Sequence, residues 1–212
     1  MLDKARYIVV EGPIGAGKTS LARRLAQRLG AELLLEQPEQ NPFLARFYQD
    51  MDRWGLATQL SFLYQRLDLL AERAGRQSSA ACVADFLIEK DPLFAELNLG
   101  PDELALYHRI HAATRTQPGP KPDLVVYLQA KSETLMDRVR KRGLDAEKRI
   151  TEDYLARVSD CYARYFYDYD AAPLFIVDAD VLNPVDQDAD FDLLIERLQA
   201  MRGYREFFGY AG

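Results

Sequence analysis

Apolar residues in this chain gather into two kinds of run. The first kind is short and apolar at successive positions: Tyr7-Ile8-Val9-Val10, Leu33-Leu34-Leu35, Cys82-Val83-Ala84, Leu124-Val125-Val126-Tyr127-Leu128 and Leu174-Phe175-Ile176-Val177. A strand that is apolar on both faces is covered on both sides, which is the habit of parallel strands. The second kind is longer and has helical spacing; it predicts helices over 18–29, 42–48, 56–74, 101–114, 132–142, 152–167 and 191–201. Strands alternating with helices predict an α/β fold of three layers, a five-stranded parallel sheet flanked by helices and joined by right-handed crossovers. No repeat or low-complexity linker divides the chain, so residues 1–212 are expected to form a single domain. The Pro- and Gly-rich stretch at 117–122 reads as punctuation between a helix and a strand.

Composition narrows the class. The 212 residues are 48% hydrophobic and 28% charged, which excludes a disordered chain. With 27 Lys and Arg against 33 Asp and Glu, the net charge is −6. A binder of nucleic-acid polymers uses excess positive charge to displace counterions, so none is expected as a partner. Cys82 and Cys161 are too few for a disulfide framework and lack metal-ligand spacing. No run approaches the ~18 apolar residues of a membrane span. Residues 1–6 lead into a strand and lack a signal peptide's apolar region. A cytoplasmic location without membrane association is the expectation.

Gly12-Pro13-Ile14-Gly15-Ala16-Gly17-Lys18-Thr19 follows the first strand and opens the first helix, the context that the pattern GxxxxGK[ST] requires. Its backbone N–H groups, through Ser20, can form a nest for phosphate at a helix N-terminus. Lys18 is expected to reach the outer phosphates and Thr19 to hold Mg²⁺. The motif predicts a nucleoside triphosphate, and leaves the phosphate acceptor open.

Glu36 follows the second strand, where parallel α/β sheets place their sites. It could take a proton from an attacking hydroxyl; on position alone it reads equally as a solvated loop carboxylate. Gln59, Phe62, Leu63 and Arg66 lie at i, i+3, i+4 and i+7 and share a helix face. That face suits a pocket with a few placed polar groups, and equally the border of an amphipathic helix. Residues 138–149 carry six basic and two acidic side chains, +4 in a chain of −6. Arg138 and Arg142 are four apart on one face, with Gly143 placed to cap the helix. A solvated helix end reads the same way. The aspartates at 178, 180, 186, 188, 190 and 192 alternate, but lack the glycine and terminal glutamate of a calcium loop. They read as a solvated acidic loop, with Asp190 as the cap of the last helix.

Taken in order, Gly12–Thr19, Glu36, Gln59 with Arg66 seven residues on, and the arginines from Arg138 to Arg149 resemble the deoxynucleoside kinases. The resemblance spans roughly residues 5–200. It implies ATP-dependent phosphorylation of a deoxynucleoside 5′-hydroxyl, with Glu36 as the general base and Lys18, Arg138 and Arg142 around the transferred phosphate. Residues 138–150 would be a lid, with Arg149 also on the nucleotide. Gln59 and Arg66 would face the base, beside Phe62. Tyr48 and Glu147 would share the sugar 3′-hydroxyl, and Trp54 and Phe43 would wall the pocket. Asp85, after the third strand, would join Thr19 on Mg²⁺. The resemblance further implies a homodimer packed through the helix over 56–74, and a preference for purine deoxynucleosides.

The chain departs from that pattern at one place. The family typically follows the third-strand acidic residue with arginine and serine; this chain has Asp85-Phe86-Leu87. Lys90 is a candidate for the missing charge. A nucleoside monophosphate kinase would also need a cation beside Asp85 for the acceptor phosphate, and Phe86 stands there. The other alternative, a non-catalytic phosphate-loop subunit, sits poorly with Lys18, Thr19, Glu36 and the lid arginines.

Overall fold

The computed structural model describes residues 1–76, 80–114 and 120–209. Residues 117–119 of the predicted punctuation lie outside them. β1 (Tyr7–Glu11) is buried at every position, as its unbroken apolar run requires. It pairs in parallel with β3 (Cys82–Ala84) on one side and β4 (Leu124–Gln129) on the other, with Val9 opposite both Ala84 and Val125. β2 (Glu32–Leu34) lies outside β3, and β5 (Leu174–Asp178) outside β4.

The sheet has six strands rather than the predicted five, in the order β2-β3-β1-β4-β5-β6. β6 (Arg205–Phe208) escaped because it is four residues long and on the sheet edge, so only Phe208 is buried. Tertiary contacts hold it. The Arg205 guanidinium donates to the carbonyls of Phe166 at 2.8 Å and Tyr169 at 2.6 Å, and the Phe208 ring packs on Phe175.

Helices cover both faces: α1 (Lys18–Leu29), α2 (Leu44–Phe47), α3 (Met51–Gly75), α4 (Asp91–Asn98), α5 (Pro101–Thr114), α6 (Ser132–Arg142), α7 (Glu152–Tyr167) and α8 (Asp188–Ala200). α3 begins five residues before the apolar period suggests, because the Asp50 carboxylate accepts from the Arg53 N–H and caps it. α4 was not predicted. At eight residues it is too short to show a period, though Pro92 in its first turn is a start signal. α8 starts before Asp190, whose carboxylate instead accepts from Asn183 N–H at 2.7 Å.

The main core lies between the sheet and its helices. A smaller cluster of Leu63, Ala95, Leu99 and Tyr107 joins α3, α4 and α5. At the aromatic end of α7, Tyr162 and Phe166 are buried, Phe166 stacked on Tyr127 at 4.3 Å between centroids, while Tyr167 is exposed. No helix among the described residues is long and apolar enough to cross a membrane.

Candidate active site

The loop from Gly12 to Thr19 leaves the C-terminal end of β1 and turns into α1. Its neighbours press close. A Cβ on Gly12 would lie 2.6 Å from the Leu128 carbonyl oxygen; one on Gly15, at φ +86°, would lie 2.7 Å from that of Leu135. Only glycine fits both the space and the backbone at Gly15. The Lys18 ammonium donates to the Pro13 carbonyl at 3.1 Å. Burial, and then repulsion from Lys90, brings its pKa down to about 8, against the pull of Glu11, Glu36 and Asp85.

Asp85, at the end of β3, ties three elements together. One oxygen accepts from the Thr19 hydroxyl at 2.5 Å, and the other accepts from the Glu36 N–H at 2.8 Å. Burial pushes its carboxyl above the usual range. The Thr19 hydroxyl and the Asp85 carboxylate are hard oxygen donors in contact. That pair fits Mg²⁺, which takes one or two protein oxygens and completes its shell from phosphate and water.

Glu36 lies just beyond β2 and accepts from the Arg66 guanidinium of α3. Burial would raise its pKa, but Arg66, then Lys90 and Lys18, outweigh burial and hold it below the usual carboxylate range. It is therefore ionised at neutral pH and able to accept a proton. Arg66 also donates to Asp91, the first residue of α4, whose second oxygen accepts from the Tyr107 hydroxyl of α5. Arg66 thus bridges two carboxylates, with the Phe62 ring 5.3 Å from its guanidinium.

One cavity brings most of the predicted residues together. Lys18, Thr19, Glu36 and Asp85 line its loop end, and Gln59, Phe62 and Arg66 line it from α3. Ile14, Gly15, Tyr48, Arg142 and Glu147 complete it, with Tyr154 and Tyr162 from α7, which sequence reasoning missed. Burial, then Tyr154 and Glu147, raises the Tyr48 pKa well above its ordinary value, so its phenol stays protonated. Thr58 lies in the wall, and its buried hydroxyl has no partner among the described residues.

A second cavity lies across the loop, lined by Gly15, Ala16, Gly17, Ser20, Arg138 and Arg142 with Asn183 and Asp186. Gly15 and Arg142 line both. The Arg138 guanidinium donates to the Ala179 carbonyl at 2.6 Å, which ties α6 to the loop after β5; burial lowers its pKa. Gly143 ends α6 at φ +67°, its N–H on the Val139 carbonyl at 3.1 Å, as the predicted cap requires. The Arg142 guanidinium binds both oxygens of Glu147, at 2.5 and 2.6 Å, across this turn.

Three predicted residues lie elsewhere. Trp54 and Phe43 stack on each other, 6.0 Å between centroids, and line neither cavity. Arg149 is exposed and also lines neither. Besides Tyr154 and Tyr162, the unforeseen residues are Glu11, Asp91 and Tyr107, which hold the site from behind its wall and are all buried at 0% exposure. Glu11 had a faint signal, an acid ending a strand that is otherwise apolar on both faces.

The family model for deoxynucleoside kinases matches residues 8–201. The chain belongs to the deoxynucleoside kinase family. Over 163 residues it is 36% identical to the deoxyguanosine kinase of Bacillus subtilis (strain 168), covering 76% of this chain and 78% of that protein. Over 191 residues it is 32% identical to the deoxyadenosine kinase of Lactobacillus acidophilus, covering 84% and 87%. A solved structure of deoxyadenosine kinase from M. mycoides with bound dATP shares the fold with a TM-score of 0.77 at 25% identity, covering 92% of this chain and 99% of that one. This kinase therefore has the phosphate-loop α/β fold and the deoxynucleoside kinase activity that the residues from Gly12 to Arg149 suggest.

Proposed function

We propose that this kinase transfers the γ-phosphate of ATP, with Mg²⁺, to the 5′-hydroxyl of a purine deoxynucleoside, supplying the monophosphate for salvage. The observation that carries the reading is the pair of cavities meeting at the phosphate loop. The cavity with Glu36, Gln59 and Arg66 suits an acceptor, and the one with Ser20, Arg138 and Asn183 suits a donor. A phosphoryl group moving between them would pass Gly15, Lys18 and Arg142. Positioning and charge neutralisation would then do most of the work.

In this reading the ionised Glu36 accepts the 5′-hydroxyl proton. Thr19 and Asp85 would hold Mg²⁺, whose part is to neutralise phosphate charge. Gln59 would pair with the base through an amide that both donates and accepts. Arg66 would offer donors to the acceptor atoms of a purine edge, O6 and N7 in guanine. The purine preference draws support from the two relatives named above, a deoxyguanosine and a deoxyadenosine kinase. Tyr48 and Glu147, at the same cavity, would hold the 3′-hydroxyl. We also take the enzyme to be a cytoplasmic homodimer packed through α3, whose 25 residues are long enough for such an interface.

Incubation with ATP, Mg²⁺ and each of the four deoxynucleosides, followed by ADP release, tests the reading. A purine deoxynucleoside is expected to give the highest kcat/KM. A pyrimidine as the best acceptor would overturn the base assignment, and release with none of the four would overturn the reading itself.

A further inference from the structure

The chain lacks a cation directly after Asp85, and the structure shows where the charge has gone. Phe86 and Leu87, which follow Asp85, are 0% and 1% exposed and belong to the core. A single 3₁₀ turn over Ile88–Lys90 then brings the chain back, and the Lys90 side chain lines the acceptor cavity with Lys18, Glu36 and Asp85. Lys90 is itself only 2% exposed. Its ammonium lies 2.7 Å from an oxygen of Glu11, the last residue of β1.

Glu11 is held from every side. It accepts from Leu87 N–H at 2.8 Å, Gly12 N–H at 2.9 Å and the Tyr162 hydroxyl at 3.1 Å. The rings of Phe94 and Tyr162 stand 5.8 and 5.9 Å from the ammonium. A buried ion pair is poor evidence for stability, since desolvating both charges costs about as much as their attraction returns. This pair instead fixes a positive charge at a set place in a cavity wall, and fixed charge stabilises a transition state without reorganising.

We propose that Lys90, anchored by Glu11, is the positioning cation of the phosphoryl-transfer site: it orients Glu36 and opposes the negative charge that gathers on the transferred group. The assignment rests on the phosphoryl-transfer reading above. Lys90 meets Glu11 from β1 and Tyr162 from α7, and lines the cavity with Lys18 from α1 and with Glu36 and Asp85 from the loops after β2 and β3. Among these it is the ammonium already neutralised by a buried carboxylate. It can therefore remain in place when Lys18 engages phosphate.

The test compares Lys90→Met, Lys90→Arg, Glu11→Gln and the double variant Glu11→Gln/Lys90→Met, with kcat and both KM values measured for each. The double variant removes both charges and leaves no uncompensated carboxylate, so it carries the test if Lys90→Met alone fails to fold. The expected result is a fall in kcat of about tenfold to a thousandfold for the charge-removing lysine variants, the range for losing one fixed electrostatic contact. The deoxynucleoside KM should stay within about threefold. Lys90→Arg should recover most of the loss, and the double variant should cost no more than Lys90→Met, as for groups acting as a unit. A folded double variant with wild-type kcat, or a loss expressed only in KM, overturns the role of Lys90 and leaves the proposed function standing. A wild-type protein that phosphorylates no deoxynucleoside overturns both.

Discussion

Glu36 shows how much a single side chain owes to its surroundings. Its position after β2 left it undecided between a base and a solvated loop residue. The structure gives it Arg66 as a partner, and Lys90 and Lys18 as neighbours that keep it ionised. Glu36→Gln retains the shape and an acceptor for Arg66, but cannot take a proton. It is expected to lower kcat by ~10²–10⁴ with the fold intact, measured by steady-state kinetics beside a thermal melt. A kcat near that of the wild type would remove Glu36 from the role of base. Residues such as Lys18, Gln59 and Arg66 were legible because each sits in a motif or on a helix face with a period. Asp91 and Tyr107 were not, because their role is to hold Arg66, and that partnership spans 25 and 41 residues of chain that only folding brings together. Trp54 misled because an aromatic near a pocket in sequence can equally pair with another aromatic, here Phe43.

Among elements, the phosphate loop depends on its neighbours as much as on its own glycines. The end of β4 presses on Gly12 through Leu128, and the first turn of α6 presses on Gly15 through Leu135. Gly15→Ala therefore adds a methyl where a backbone oxygen already sits, at a left-handed φ. It is expected to destabilise the protein by about 2 kcal/mol and to weaken triphosphate binding about tenfold or more. Chemical denaturation should show a lower midpoint with unchanged m, and calorimetric titration the loss of affinity. An unchanged midpoint would show that α6 can yield. The strands and helices with sustained periods were read correctly to within a few residues. α4 and β6 were not, because eight and four residues held by tertiary contacts carry too little pattern of their own.

Over the whole molecule, the charge is divided. The segment 138–149 carries +4 while the chain totals −6, so anions meet a local attraction on a protein that otherwise repels them. Exposed charges are screened over about 10 Å at 0.1 M salt. Raising the salt should therefore lower kcat/KM for the triphosphate several-fold and leave that for the uncharged deoxynucleoside nearly constant. Equal slopes for both substrates would show that segment 138–149 has no part in donor capture. A net charge alone suggested only that polymers of phosphate were excluded; the segment's placement, with Arg138 and Lys141 on the second cavity and Arg142 on both, supplies the local meaning.

The placement of β1 between β3 and β4 also bears on how the protein is made. The strand that supports residues 12–19 gains its two neighbours only when residues 82–84 and 124–129 have followed it in synthesis. At roughly 5–20 residues per second, that leaves the nascent loop without its scaffold for about 5–20 s. Parallel pairings between distant segments are also slow to form. Until then the apolar run from Tyr7 to Val10 is an uncovered strand. A chaperone that shields short apolar segments of emerging chains would find such a segment in this stretch, the same one that later carries the nucleotide loop.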